Sequence, residues 1–276
     1  PIRFIGIGEK MDDLRDFVGQ QAETCGLNDK AVYAVQLAVD EAFTNIGGIL
    51  VSLGRPAEAL PYIEKAISLA PDNHEAYCNL GSAMQYLHRL DEAIVYYRKS
   101  LDIYPDYETA HNNLGAVLIK KGDLEGALYH IKWAIRINPG YDEAYNNLGL
   151  VMSQMGRSDE AIGYYEQALR LNPENPTTHF NLGTAWFQRQ DLERARQHLA
   201  QADRLDPGSV LVLNNLSTVL VMQGKYAEAI PVMTRVVELL PENPIAYYNL
   251  ACAFALQERK EEAVTALRKA LDMGYD

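Results

Sequence analysis

The chain has 276 residues and is 48% hydrophobic, enough to build a packed core and to exclude an intrinsically disordered protein. Its 37 acidic and 25 basic residues give a formal net charge of -12 with no Lys/Arg stripe to neutralise phosphates, so neither nucleic acid nor an anionic membrane surface is an expected partner. Cys25, Cys78 and Cys252 are far apart and form no CxxC pair, so no zinc site, disulfide framework or other cofactor site is expected, and a reducing, cytoplasmic setting fits.

No stretch approaches the roughly 18 uninterrupted apolar residues of a membrane span, and no signal segment opens the chain. The chain starts at Pro1 rather than Met, which points to residues removed upstream.

Residues 1–39 are expected to form an extension of their own. Ile2, Phe4 and Ile7 suggest a short strand with no partner in the chain, so it should be disordered, irregularly packed or paired with another copy. Asp12 or Asp13 can cap a helix bearing Leu14, Phe17, Val18 and Ala22 at helical spacing, and Gly26 ends it. Asn28 caps a second helix with Val32, Val35, Val39, Ala42, Phe43 and Ile46 along one face. Nothing breaks it before Gly47, so it should run on into the downstream segment.

The run from Leu14 to Ile46 resembles the start of the anti-sigma-factor serine kinases, a branch of the histidine-kinase-like ATPases. The resemblance implies that Glu41 positions the phosphoryl-transfer base and Asn45 holds magnesium. Downstream, however, there is neither a DxGxG motif nor a glycine-rich lid, so ATP binding has no physical basis. The segment reads as a fused or recombined fragment, or as a cap on the downstream helices, with Glu41 and Asn45 then serving as residues of a groove and not as a magnesium site.

From Asp40 a period of 34 residues takes over, with position 1 at Asp40, His74, Glu108, Asp142, Pro176, Val210 and Pro244. The expected repeats are 40–73, 74–107, 108–141, 142–175, 176–209, 210–243 and 244–276. Position 20 is Ala in all seven, from Ala59 to Ala263. Position 8 is Gly47, Gly81, Gly115, Gly149 and Gly183, then Ser217 and Ala251, small enough for a neighbouring helix to come close. Position 32 is Pro in six repeats, from Pro71 to Pro241, and ends the second helix of each. Gly54, Gly122, Gly156 and Gly224 supply a left-handed turn between two helices.

This pattern resembles the tetratricopeptide-repeat (TPR) family over residues 40–276. The resemblance implies an all-α, right-handed superhelical solenoid of antiparallel helix pairs, whose first helices line a concave groove. It also implies a non-catalytic scaffold that binds a protein or peptide. The alternative is a regulatory or dimerisation protein derived from the kinase fragment, without kinase activity.

In this family positions 2, 5, 6, 9, 12 and 13 of the first helix face the groove. Position 6 is Asn throughout: Asn45, Asn79, Asn113, Asn147, Asn181, Asn215 and Asn249. Asn112, Asn146 and Asn214 double the row at position 5. A carboxamide both donates and accepts, so such a row can hold an extended peptide backbone, or it can bond neighbouring helices or water. It resembles the asparagine ladder in the repeat domain of O-linked N-acetylglucosamine transferase. The Lys and Arg of the family's carboxylate clamp are missing.

Glu41, Glu75 and Glu143 make the start of the groove acidic, unless they only favour helix N-termini. Phe180, Phe187, Leu211, Val221, Ile245 and Tyr248 make its end apolar. The expected ligand is basic at one end and apolar at the other. Cys78 and Cys252 read as small filler, and His111 and His179, both at position 4, as packing substitutions. Val264, Leu267 and Leu271 form an apolar edge on the last helix, so self-association through that edge or through the extension is a further expectation.

Overall fold

The computed structural model describes residues 29–275 of the chain, and their side chains from residue 37 onward. The expected strand, the helix capped at Asp12 or Asp13, and Cys25 lie outside those residues, as does most of the kinase-like run.

The described residues form helices only, and they divide into two compact units, the first ending at Pro139 and the second beginning at Gly140. The first unit contains α1 (Asp29–Ser52), α2 (Pro56–Leu69), α3 (His74–Tyr86), α4 (Leu90–Ile103), α5 (Glu108–Lys121) and α6 (Leu124–Ile137). The second contains α7 (Asp142–Gln154), α8 (Ser158–Leu171), α9 (Pro176–Gln188), α10 (Leu192–Leu205), α11 (Val210–Met222), α12 (Tyr226–Leu239), α13 (Pro244–Leu256) and α14 (Lys260–Asp272). Within each unit every first helix packs on its own second helix, and that second helix packs on the next first helix. A lone pair could not bury its apolar face, so the stack is the folding unit.

The pairs sit close together because of what positions 8 and 24 carry. Ile63, Tyr97, Ile131, Tyr165 and Leu199, at position 24, are at most 2% exposed, each burial contributing about 1.5–3 kcal/mol. They press against the position-8 glycines. A Cβ added at Gly115 would come within 2.5 Å of Ile131 Cγ1, and one at Gly149 within 2.6 Å of Tyr165 Cε1. The position-20 alanines from Ala59 to Ala229 are fully buried, so a larger residue would overpack the same seam. Where position 8 becomes Ser217, position 24 is Met233, an unbranched side chain that can yield.

The turns inside the pairs are left-handed in every repeat, although only four carry glycine. Gly54, Gly122, Gly156 and Gly224 have φ between 70° and 81°. His88, Gln190 and Glu258 take the same place at φ of 60–61°, bearing a left-handed cost of about 1–2 kcal/mol that a Cβ imposes. Between pairs, Asn73, Asn175 and Asn243 cap the next first helix by accepting from Ala76, Thr178 and Ile245 backbone N–H groups. In α14 the apolar positions Val264 and Leu271 are each 55% exposed.

Candidate functional site

The first-helix residues at position 6 are placed by the seams just described, next in sequence to the position-7 leucines. Four of them donate backwards to the preceding first helix. Asn79 Nδ2 donates to Thr44 O at 3.3 Å, and Asn113 Nδ2 lies 4.0 Å from Cys78 Sγ. In the second unit Asn181 Nδ2 donates to Asn146 Oδ1 at 3.0 Å and Asn215 Nδ2 to Thr184 Oγ1 at 3.4 Å. The ladder therefore ties repeats together, the second of the two roles open to it from sequence. One N–H of each carboxamide serves the tie, and a second N–H and the carbonyl oxygen belong to the same group.

Exposure sorts the remaining candidates. Asn45, Asn214, Asn249, Glu41, Glu75 and Glu143 are exposed or half-buried, and Asn79, Asn113, Asn147, Asn181 and Asn215 half-buried. Asn112 and Asn146 are buried at 2% and 9% exposure, so these two position-5 amides point into the packing rather than toward a ligand. Cys78 is buried too, and that burial pushes its thiol up to about 12, which removes it as a nucleophile. Glu143 has its carboxyl pushed up, first by desolvation and then by neighbouring Asp142.

In the second unit the same face opens into a cavity of about 290 Å3 between α11 and α13. Its walls include Asn214, Thr218, Val221 and Met222 from positions 5, 9, 12 and 13 of one repeat, and Ile245, Asn249, Cys252 and Leu256 from positions 2, 6, 9 and 13 of the next. Phe180 and Phe187 are half-buried against the neighbouring core instead, and Tyr248 stacks on Tyr275 with ring centroids 4.5 Å apart. Leu211 and Ile245 remain exposed.

Two Tetratricopeptide repeat models match this architecture, one over residues 38–106, 72–140 and 106–174, the other over 146–210 and 215–274. The chain belongs to the tetratricopeptide-repeat family. TPR proteins generally mediate protein–protein interactions, and the family is typically one of non-enzymatic scaffolds. No curated protein matches the chain at a significant level. Among solved structures it is similar to pilF of Pseudomonas aeruginosa (22% identity, 75% of this chain and 94% of that one, TM-score 0.65). It is likewise similar to TTC0263, a thermophilic TPR protein of Thermus thermophilus (25% identity, 66% and 99% covered, TM-score 0.59). The Cut9–Hcn1 hetero-tetramer of the APC/C aligns with 97% of this chain and 51% of its own at 18% identity and a TM-score of 0.69. The kinase-like resemblance has no counterpart in these matches. Glu41 and Asn45, its two described key residues, are simply positions of α1.

Two histidine pairs lie where the sequence alone suggests only packing positions. His111 and His179 do not pack as lone substitutions; each faces a second histidine from its own repeat. His111 Nδ1 lies 2.9 Å from His130 Nδ1, and His179 Nδ1 lies 3.0 Å from His198 Nδ1. Each position-4 ring also places Nε2 at 3.0 Å from a proline carbonyl, Pro105 O or Pro173 O. A carbonyl only accepts, so His111 and His179 carry their proton on Nε2 and offer a lone pair at Nδ1. His130 and His198 must then donate from Nδ1. Burial, followed by the partner imidazole, brings both down to about 4, which keeps them neutral near pH 7. The signal was present as His at positions 4 and 23 of the same two repeats, 19 residues apart. Among the described residues no group of three His, Cys, Asp or Glu is placed to hold a metal, and no helix is long and apolar enough to cross a membrane.

Proposed function

We propose that this TPR chain is a non-catalytic scaffold that binds an extended segment of a partner protein along its first-helix face. The observation that carries this reading is the cavity between α11 and α13, because eight of its lining residues, four from each helix, hold the positions that face the groove in this family. Its apolar side chains suit one bulky aliphatic or aromatic anchor from the ligand. Asn214 and Asn249, beside it, are able to donate to and accept from the ligand's peptide bonds. Glu143, in the same unit as the cavity, favours a basic residue toward the other end of the segment, and Glu41 and Glu75 hold the same register position in the first unit. Each hydrogen bond adds only about 0.5–1.5 kcal/mol net and the segment must be ordered, so binding accumulates over several repeats at modest affinity.

The test is an array of extended peptides with one apolar anchor and a variable basic end, scored by fluorescence anisotropy. Thr218→Trp, which fills the cavity, should abolish binding of the peptides the wild type retains, and Asn249→Ala should weaken it. Binding that survives both changes would place the ligand elsewhere.

A further inference from the structure

The second helices of the first unit carry a separate cavity of about 350 Å3 between α4 and α6, whose walls include Arg98, Asp102, Asp106, Tyr129, His130 and Trp133. His111 is the first-helix residue in its walls and sits at position 4, outside the positions 2, 5, 6, 9, 12 and 13, so the cavity is distinct from the face proposed for the extended segment. We propose that it is a second recognition site, one that takes the cationic side chain, guanidinium or ammonium, of a basic residue on a partner protein.

The chemistry of the walls selects that occupant. Because His111 donates from Nε2 to Pro105 O, its Nδ1 accepts from His130 Nδ1, and neutral His130 keeps its lone pair at Nε2. The histidine wall therefore contributes an acceptor. Asp102 and Asp106 add two carboxylates against the single guanidinium of Arg98, so the formal balance of the walls is negative. Tyr129 is 58% exposed, with its ring edge-on to His130 at 5.1 Å and 85°, which leaves an aromatic face for a cation. Nearby Trp133 already carries a guanidinium, with Arg136 Cζ 4.9 Å from its ring centroid.

The repeat register supplies an internal comparison. The His179–His198 pair repeats the imidazole geometry two repeats on, and there the equivalents of Arg98, Asp102, Asp106, Tyr129 and Trp133 are Glu166, Arg170, Glu174, Gln197 and Gln201. The paired imidazoles and the formal balance of two carboxylates against one guanidinium are thus shared, whereas the aromatic walls, Tyr129 and Trp133, occur only at the first pair and are what set this cavity apart.

The chain has two tryptophans, Trp133 at this cavity and Trp186 in the second unit, so their indole N–H resonances report the site and a control together. The full chain is titrated at pH 7 with the capped peptides acetyl-Gly-Arg-Gly-amide, its Lys counterpart and its Glu counterpart. The Arg and Lys peptides should shift the Trp133 resonance saturably while Trp186 stays still. Asp102→Asn with Asp106→Asn should weaken binding about tenfold, the scale of one lost charge-assisted contact. Arg98→Gln should strengthen it, and circular dichroism confirms that each variant is folded. The proposal is overturned by an absent or non-saturating Trp133 shift, by an equal response to the Glu peptide, or by a double variant that binds as well as the wild type.

Discussion

Changing Asn181 to Ala separates the two roles of the asparagine ladder. The substitution deletes the 3.0 Å bond from Asn181 Nδ2 to Asn146 Oδ1, and Asn146 is only 9% exposed, so its oxygen is left without that donor in a largely dry seam between α7 and α9. An acceptor stranded in that way costs about 1–3 kcal/mol, against about 1 kcal/mol for an average bond lost at a wetter place. Asn249 sits at the same register position but is exposed, so Asn249→Ala should move stability by no more than about 0.5 kcal/mol. Urea denaturation followed by circular dichroism measures both, with the slope m checked for constancy so that the midpoint reports stability. Removing Asn146 as well, as Asn146→Ala with Asn181→Ala, should recover part of the loss, since the stranded oxygen goes too. Binding of an array-selected peptide should show the opposite order, Asn249→Ala losing a factor of about 2–10 for one contact. If Asn181→Ala leaves the urea midpoint where it was, the inter-repeat tie contributes nothing and the account of the ladder fails.

Two further outcomes concern the seams and the histidine pairs. Gly149→Ala puts a Cβ at 2.6 Å from the Tyr165 ring, which is 2% exposed and has no room to retreat, so a loss of about 1–3 kcal/mol is expected in the same urea assay; Gly163→Ala, with open space around it, serves as the control. His130 and His198 are held at about 4 when folded and return to about 6.5 when unfolded, so unfolding takes up protons between those values. Their contribution to stability is therefore complete above about pH 6.5 and is lost as the pH falls toward 4. Since the rings are only partly buried, solvent screening reduces this to about 1 kcal/mol per pair. The variant His130→Gln with His198→Gln should lose less stability than the wild type over that pH range. An identical pH profile for the two proteins would contradict the pairing.

The architecture was readable in the chain because its determinants are local and recur every 34 residues. Ala at position 20 in seven copies, Pro at position 32 in six and Gly at position 8 in five each answer a steric demand that the neighbouring helix makes again from pair to pair. The family's groove positions could be assigned on the same register. The left-handed turns at His88, Gln190 and Glu258 could not, because there the flanking helices hold the backbone in a conformation that the residue itself disfavours.

What tertiary structure alone decided is where each polar group spends its hydrogen bonds. Asn112 and Asn214 hold the same position in their repeats, yet one is buried and the other exposed, since burial depends on the side chains of the adjoining repeat and not on the register. Likewise the sequence places His111, His130, His179 and His198 in their repeats, but only the folded chain brings them nitrogen to nitrogen and, through a proline carbonyl, sets which nitrogen carries the proton. A repeat's period dictates which helices meet; the chemistry left facing outward is set by distances of a few ångströms between side chains far apart in sequence.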